Sequence, residues 1–344
     1  MKFQYIQNMI DAVRGKKRLK IYTPYYNKYI PIVPDKPSIY NSSGDKMDLF
    51  FIRDRHFALN PYCFHSTYYL WDRFNYSLDT HFYTGNALKE IMGSPLRRYA
   101  WLIEPRSKQP KDYLVLEKNR ELSADFTNIL THDARLLEIL PNAIFFPSCA
   151  SSWVYDLDPD IFAKKTKMIS ILSSRKKMCS LHYLRIDVAR QCKKNNWADT
   201  FGTFDDGKFV SIAETLKNYR YTIAFENEVS PLFFTERITS SFITMTVPIY
   251  LGAERIGDFF NMDGIIQINT SDALNISDVL KQCSAKDYES RLPAILDNYQ
   301  RALKYLKMGD FMYETIFGAK PGNAVNEGRN FTSLRGAENS GDKI

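Results

Sequence analysis

The residues best suited to chemistry stand near the middle of the chain. In TIAFENE an apolar run ends abruptly in Glu226 and Asn227, and after a short loop FFTERITSSF brings Glu236 and Arg237 into the first turn of a helix. Ligands of open α/β sheets bind at the carboxyl ends of strands, so the polar pair stands where a ligand would. Thr235 is a suitable N-cap, and Ile238, Phe242 and Met245 fall on one core-facing stripe. A helix N-terminus already carries partial positive charge, so Arg237 is unfavourable there unless an anion lies between them. Free backbone N–H groups and a guanidinium fork together match a diphosphate. The competing reading is a solvated Arg237 paired with Glu236 or Glu254.

A second unit, KMISILSSRKKMCSLHYLRIDVARQCKK, repeats this logic with a strand, a basic loop (Arg175, Lys176, Lys177) and a helix whose Leu181, Leu184 and Val188 turn inward. His182 and Arg185 share a neighbouring face near its start, which directs both into the same cleft. His132 and Asp133, in LTHDARLL, either line an opposing wall or start a helix.

These residues need strands and helices in alternation to hold them. From residue 47 the pattern runs MDLFFI, a helix from Ala87, YAWLIE, a helix across Thr131 to Leu140, and AIFFPS. It restarts after Asp160 with KMISILSS, a helix from Ser180 to Lys194, TIAFEN, a helix from Thr235 to Thr244, VPIYLG and GIIQIN. Such alternation specifies parallel sheets wrapped by helices. At 344 residues the chain exceeds what one core usually serves, which implies two doubly wound α/β domains joined at SSWVYDLDPDIF. The expected divisions are an N-terminal helix and irregular connector over 1–46, one α/β domain over 47–155, a second over 156–317 with a long C-terminal helix, and a polar, disordered tail over 318–344. That last helix is expected to pack back across the hinge.

With hydrophobic residues at 44% and aromatics at 14%, the composition can offset chain entropy in a folded protein. The net charge of +7 favours anionic partners, among them nucleotides, phosphorylated sugars, RNA and membrane surfaces. The basic residues cluster at strand-to-helix loops and no RNP or KH-like motif occurs, so nucleic acid is not expected. Cys63, Cys149, Cys179, Cys192 and Cys283 show no CxxC spacing, which argues against a disulfide framework or a zinc site and for a reducing compartment. No apolar run is long enough to span a bilayer, and the start of the chain lacks a signal-peptide core. A cytoplasmic protein is expected, soluble or peripheral at the inner face of a membrane. Phe3, Ile6, Ile10 and Val13, followed by the basic run Arg14 to Lys20, are either that membrane contact or a helix docked on the body.

The run AFENEVSPLFFTERITSSFITMTVPIYLGAERIGDFFNMDGII resembles the donor-binding signature of the α1,3/4-fucosyltransferases, glycosyltransferase family 10: FEN, a tyrosine, TEK, then a VP-VLG strand, in order. LHYLR resembles the GHxxR variant of bacterial and viral members, and YYLWDRFNYSLDTHFY and YAWLIEPRS resemble the family's acceptor domain. The resemblance implies the GT-B fold, two facing Rossmann-like domains, and an inverting transfer of fucose from GDP-fucose to a glycan hydroxyl, in an α1,3-type linkage. It implies that Asn227 and Glu236 contact the ribose and sugar of the donor, that Arg185 and Arg237 neutralise the departing diphosphate, and that His182, Glu226 and Phe233 belong to the same donor site. Glu226 reads equally well as a structural carboxylate orienting the loop. Glu104, in LIEPRS, matches the glutamate of the family's E-S-P element, the proposed base; the alternative is a surface glutamate before a proline.

Three positions depart from the pattern. Arg237 replaces a lysine, Phe233 stands where tyrosine is common, and Leu181 replaces the glycine of GHxxR, which leaves open another GDP-deoxysugar donor or a non-catalytic glycan or nucleotide binder. No metal or other obligatory cofactor is expected: the DxD of DLDPD (Asp156, Asp158, Asp160) falls in the hinge and not at a strand end, and two arginines can already balance the leaving group.

Overall fold

Apolar runs rich in aromatic and β-branched residues build two all-parallel sheets. The structure is a computed structural model that describes residues 46–53, 66–72, 75–147, 149–154 and 165–318. The expected N-terminal helix, most of the connector, the DLDPD segment, Cys63 and the tail beyond Gly318 lie outside the described residues.

The first sheet holds β1 (Asp48–Arg53), β2 (Tyr69–Asp72), β3 (Thr80–Thr84), β4 (Arg97–Trp101), β5 (Asn128–Thr131) and β6 (Ala143–Phe145), in the order β2-β1-β3-β4-β5-β6. Side chains alternate between its faces with the period of two that a strand imposes. Phe50, Phe82, Tyr99 and Trp101 enter one core; their neighbours Phe51, Tyr83, Ala100 and Leu102 enter another, beneath α1 (Pro110–Lys118), α2 (Arg120–Ala124) and α3 (Ala134–Ile139).

The second sheet has the order β11-β10-β9-β7-β8, from β7 (Lys167–Leu172), β8 (Asp199–Phe201), β9 (Tyr219–Ser230), β10 (Val247–Ala253) and β11 (Ile266–Gln267). Around it stand α4 (Ser180–Asn195), α5 (Ile212–Leu216), α6 (Glu236–Ile243), α7 (Thr270–Leu274), α8 (Ile276–Leu280) and α9 (Ala285–Leu306), followed by α10 (Met308–Phe317). No helix among the described residues is long and apolar enough to cross a membrane.

Three expected elements are corrected. The helix from Ala87 is a short 3-10 turn, Gly85–Lys89. The helix across Thr131 to Leu140 starts at Ala134, because Thr131 ends β5 and the Asp133 carboxylate caps the helix by accepting from the Leu136 N–H at 2.8 Å. The long C-terminal pattern breaks at Lys307, whose ψ of 74° is non-helical, and α10 leaves the second domain for the first sheet. There Asp310 accepts from Ser66 Oγ at 2.6 Å and from Thr67 N at 2.7 Å, while Tyr313 stacks on Phe50.

Two connections thus join the domains, and they touch: Ser151 Oγ donates to the Leu306 carbonyl at 3.5 Å. The first is also sewn to α6. Thr239 Oγ1 donates to the Ser151 carbonyl at 2.8 Å, and Ser240 Oγ accepts from Trp153 N at 3.0 Å. This accounts for the buried hydroxyls of the TSS run, which would be a poor choice for a core helix without such partners.

Candidate active site

The site begins with an irregularity in β9. Leu251 of β10 pairs with Phe225, but Ala253 pairs with Ser230, so the stretch Glu226 to Val229 lies opposite Gly252 alone. Extra residues in one strand bend it and re-aim its side chains. Gly252 is required at this point, since a Cβ would collide with the Glu226 side chain and the Tyr250 hydroxyl.

The bulge turns Glu226 inward and Asn227 outward. Glu226 is fully buried and grips the start of α6: its carboxylate accepts from Thr235 N at 2.8 Å and Thr235 Oγ1 at 2.7 Å, and from the Tyr250 hydroxyl at 3.3 Å. It does not line the cleft. Of the two readings of Glu226, this placement favours the structural carboxylate that orients the loop. Burial lifts its pKa from 4.5 to about 7, against the pull of the Thr235 hydroxyl. Between those values the folded chain holds a proton that the unfolded chain has lost, so this group lowers stability as pH rises through the window. Glu226→Gln keeps the shape without titrating, so the melting temperature of the variant should gain on the parent between about pH 5 and about pH 8. The gain should correspond to on the order of 1 to 3 kcal/mol. A difference that stays constant across that range would remove the buried proton.

Asn227 is held from α4. His182 Nδ1 accepts from Met178 N at 3.0 Å, which leaves Nε2–H to donate to Asn227 Oδ1 at 3.0 Å. Burial, then the charge of Arg185, lowers the His182 pKa to about 4, so the ring is a neutral donor at physiological pH. Arg185 Nη2 donates to the carbonyls of Phe225 at 2.6 Å and Glu226 at 2.8 Å, and to Asn227 Oδ1 at 3.2 Å. With Oδ1 occupied twice, the Asn227 amide N–H group is left for a ligand.

Arg185 is 1% exposed, and its Nε has no partner among the described residues. Burial and then the like charge of Arg237 lower its pKa, and both side chains line the same cleft. Arg237 sits beside the Thr235 cap, and among the described residues its side chain forms no ion pair, with Glu236, Glu254 or any other carboxylate. The unfavourable charge expected at this helix start therefore has no ion-pair partner among the described residues, and an anion placed between the arginines would relieve both.

The opposite wall comes from the first domain. A cleft of about 730 Å³ between the sheets is lined by Glu104, Lys108, Cys149 and Trp153 on one side and by Lys176, His182, Arg185, Asn227, Glu236 and Arg237 on the other. Glu104 follows β4, and its carboxylate forms an ion pair with Lys108. The Tyr113 hydroxyl donates to the Glu104 carbonyl at 2.5 Å, and with that proton committed it accepts from His132 Nε2 at 3.0 Å. His132 in turn packs on Phe233, ring centroids 4.7 Å apart.

Phe233, expected to belong to the donor site, is placed away from the cleft lining. At 1% exposure it is an interdomain core residue and takes no part in the cleft lining, so a hydroxyl there would meet His132 and not a ligand in the cleft. Leu181 likewise lies in the core, so its replacement of glycine leaves the cleft unchanged. Glu104, His182, Arg185, Asn227, Glu236 and Arg237 are brought together as expected. Asp133 is a helix cap that also pairs with Arg106 at 2.8 Å, and His132 is buried rather than lining a wall. Lys108, Trp153, the loop Phe209 to Ser211 and Ile212 at the start of α5 also line the cleft, and nothing in their local sequence marks them.

Residues 162–290 match the family model described as "Glycosyltransferase family 10 (fucosyltransferase) C-term". No curated protein matches the chain in sequence. Among solved structures, the fold is similar to one described as "Crystal Structure of alpha1,3-Fucosyltransferase with GDP", at 14% identity and a TM-score of 0.50, covering 82% of this chain and 92% of that one. A second, described as "Crystal Structure of alpha1,3-Fucosyltransferase with GDP-fucose", is 13% identical with a TM-score of 0.44, covering 87% and 96%. The two facing parallel sheets are the GT-B arrangement.

Proposed function

We propose that this chain, whose residues 162–290 belong to glycosyltransferase family 10, is an inverting fucosyltransferase that moves fucose from GDP-fucose to a hydroxyl of a glycan acceptor in an α1,3-type linkage. One observation carries the reading. Arg185 and Arg237 converge at the N-terminus of α6 on one wall of the cleft, and Glu104 stands on the wall opposite. The relative of similar fold described with GDP supports a nucleotide in this position.

Each residue then has a task. The arginines and the α6 amides bind the diphosphate and take up the charge that grows on it as the glycosidic bond breaks. Asn227 offers its amide donors, and Glu236 accepts from ribose or sugar hydroxyls. Inversion takes one displacement, in which Glu104 removes the proton of the acceptor hydroxyl on the face away from GDP. The anomeric carbon gains positive character, which the carboxylates lining the cleft favour. The reading calls for no obligatory divalent ion, and it places the acceptor against the first domain.

Incubation with GDP-fucose and a glycan array, with and without chelator, tests it directly, with linkage mapped on the product. A fucosylated product in both conditions is expected. Turnover with a different GDP-deoxysugar in place of GDP-fucose would replace the donor, dependence on a metal ion would replace the charge assignment, and GDP binding without turnover of any donor would make the chain a binder.

A further inference from the structure

The ion pair between Glu104 and Lys108 conflicts with the role of a free base. A carboxylate clamped by an ammonium has one oxygen fewer for an acceptor hydroxyl. Lys108 also stands at the seam between the domains. The preceding residue, Ser107, donates from its N–H to Glu228 Oε2 at 2.6 Å and from its hydroxyl to the Asn227 carbonyl at 3.4 Å. Asn227 is the residue held by His182 and Arg185. The ammonium is thereby carried to the rim of the arginine pair, and its charge is felt at His182 on the far wall and at Cys149.

The pair is also exchangeable. The Lys108 side chain is 15% exposed and that of Glu104 29%, so water reaches both and separation strands no buried charge. A diphosphate placed between Arg185 and Arg237 would present Lys108 with more negative charge than one carboxylate does.

Building on the fucosyltransferase reading, we propose that Lys108 is a donor-responsive counter-ion. It holds Glu104 until a nucleoside diphosphate enters the cleft, then passes to the phosphate and leaves the carboxylate facing the acceptor. Lys108 acts through Glu104 as a positioning residue, and base and donor become available together.

A double-mutant cycle on GDP affinity, measured by calorimetry with melting temperatures as a check on folding, tests the exchange. Because GDP must break the pair to recruit Lys108, Glu104→Gln should bind GDP roughly threefold to tenfold more tightly than the parent. Lys108→Gln should bind it about tenfold more weakly, and the double variant should match Lys108→Gln. If Glu104→Gln tightens GDP equally in the Lys108→Gln background, the gain is only the removal of a nearby negative charge and the exchange is refuted. Unchanged affinity in both single variants also refutes it. A parent protein that binds no GDP would instead overturn the nucleotide reading on which the exchange rests.

Discussion

Glu104→Gln should lower the transfer rate by about 10³-fold while GDP binding survives. The amide is nearly isosteric but cannot take a proton from an attacking hydroxyl, and among the described residues no other carboxylate of the first domain lines the cleft. The position itself should persist, because it is set by the backbone: Tyr113 holds the Glu104 carbonyl, and His132 and Phe233 hold Tyr113. Single-turnover product formation by mass spectrometry, run beside GDP calorimetry, separates the two effects. Full turnover in the variant would remove Glu104 as base, and simultaneous loss of turnover and GDP binding would make it structural.

Removal of the two arginines should have contrasting consequences. Arg185 holds the β9 bulge together through the carbonyls of Phe225 and Glu226 and the side chain of Asn227, all from within the core. Arg185→Ala removes the guanidinium donor from the Phe225 and Glu226 carbonyls, leaving Asn227 Oδ1 with His182 alone, and should destabilise the fold by on the order of 3 kcal/mol, besides weakening GDP by about 100-fold or more. Arg237 has no ion pair among the described residues, so Arg237→Ala should leave the melting temperature unchanged and still weaken GDP by about 10- to 100-fold. Chemical denaturation and calorimetry on both variants read the contrast. GDP affinity untouched by Arg237→Ala would end the diphosphate assignment, and a fully stable Arg185→Ala would end the structural half of its role.

The second-domain wall of the cleft was legible because its signals are local. A Thr235 cap and a core stripe through Ile238 and Phe242 follow from the helical period of 3.6 residues, whereas the strand expected to stop at Asn227 continues to Ser230. His182 and Arg185 share a face for the same reason. What failed was the direction of side chains where periodicity lapses. Glu226 and Asn227 point oppositely inside a bulge whose register is set by Gly252 on another strand. Phe233 lies in a loop, where sequence carries no facing rule, and its partner His132 comes from the other domain. Lys108 was missed because its meaning depends on how PRSKQ folds against Asn227 and Glu228, a contact between distant segments. α10 packs back across the hinge, and the break at Lys307 that precedes it is not legible because it leaves the apolar spacing uninterrupted.

The contact between Ser151 and Leu306 has a mechanical meaning. Two chain crossings set side by side behave like adjacent knuckles on a single door hinge: they permit swinging about one edge and resist sliding or twisting of one leaf over the other. Any change in cleft width then becomes a rotation whose lever arm grows with distance from that edge. A diphosphate bound as proposed would have one soft coordinate on which to act, and the pair Glu104 and Lys108 would travel with the first leaf along that same arc.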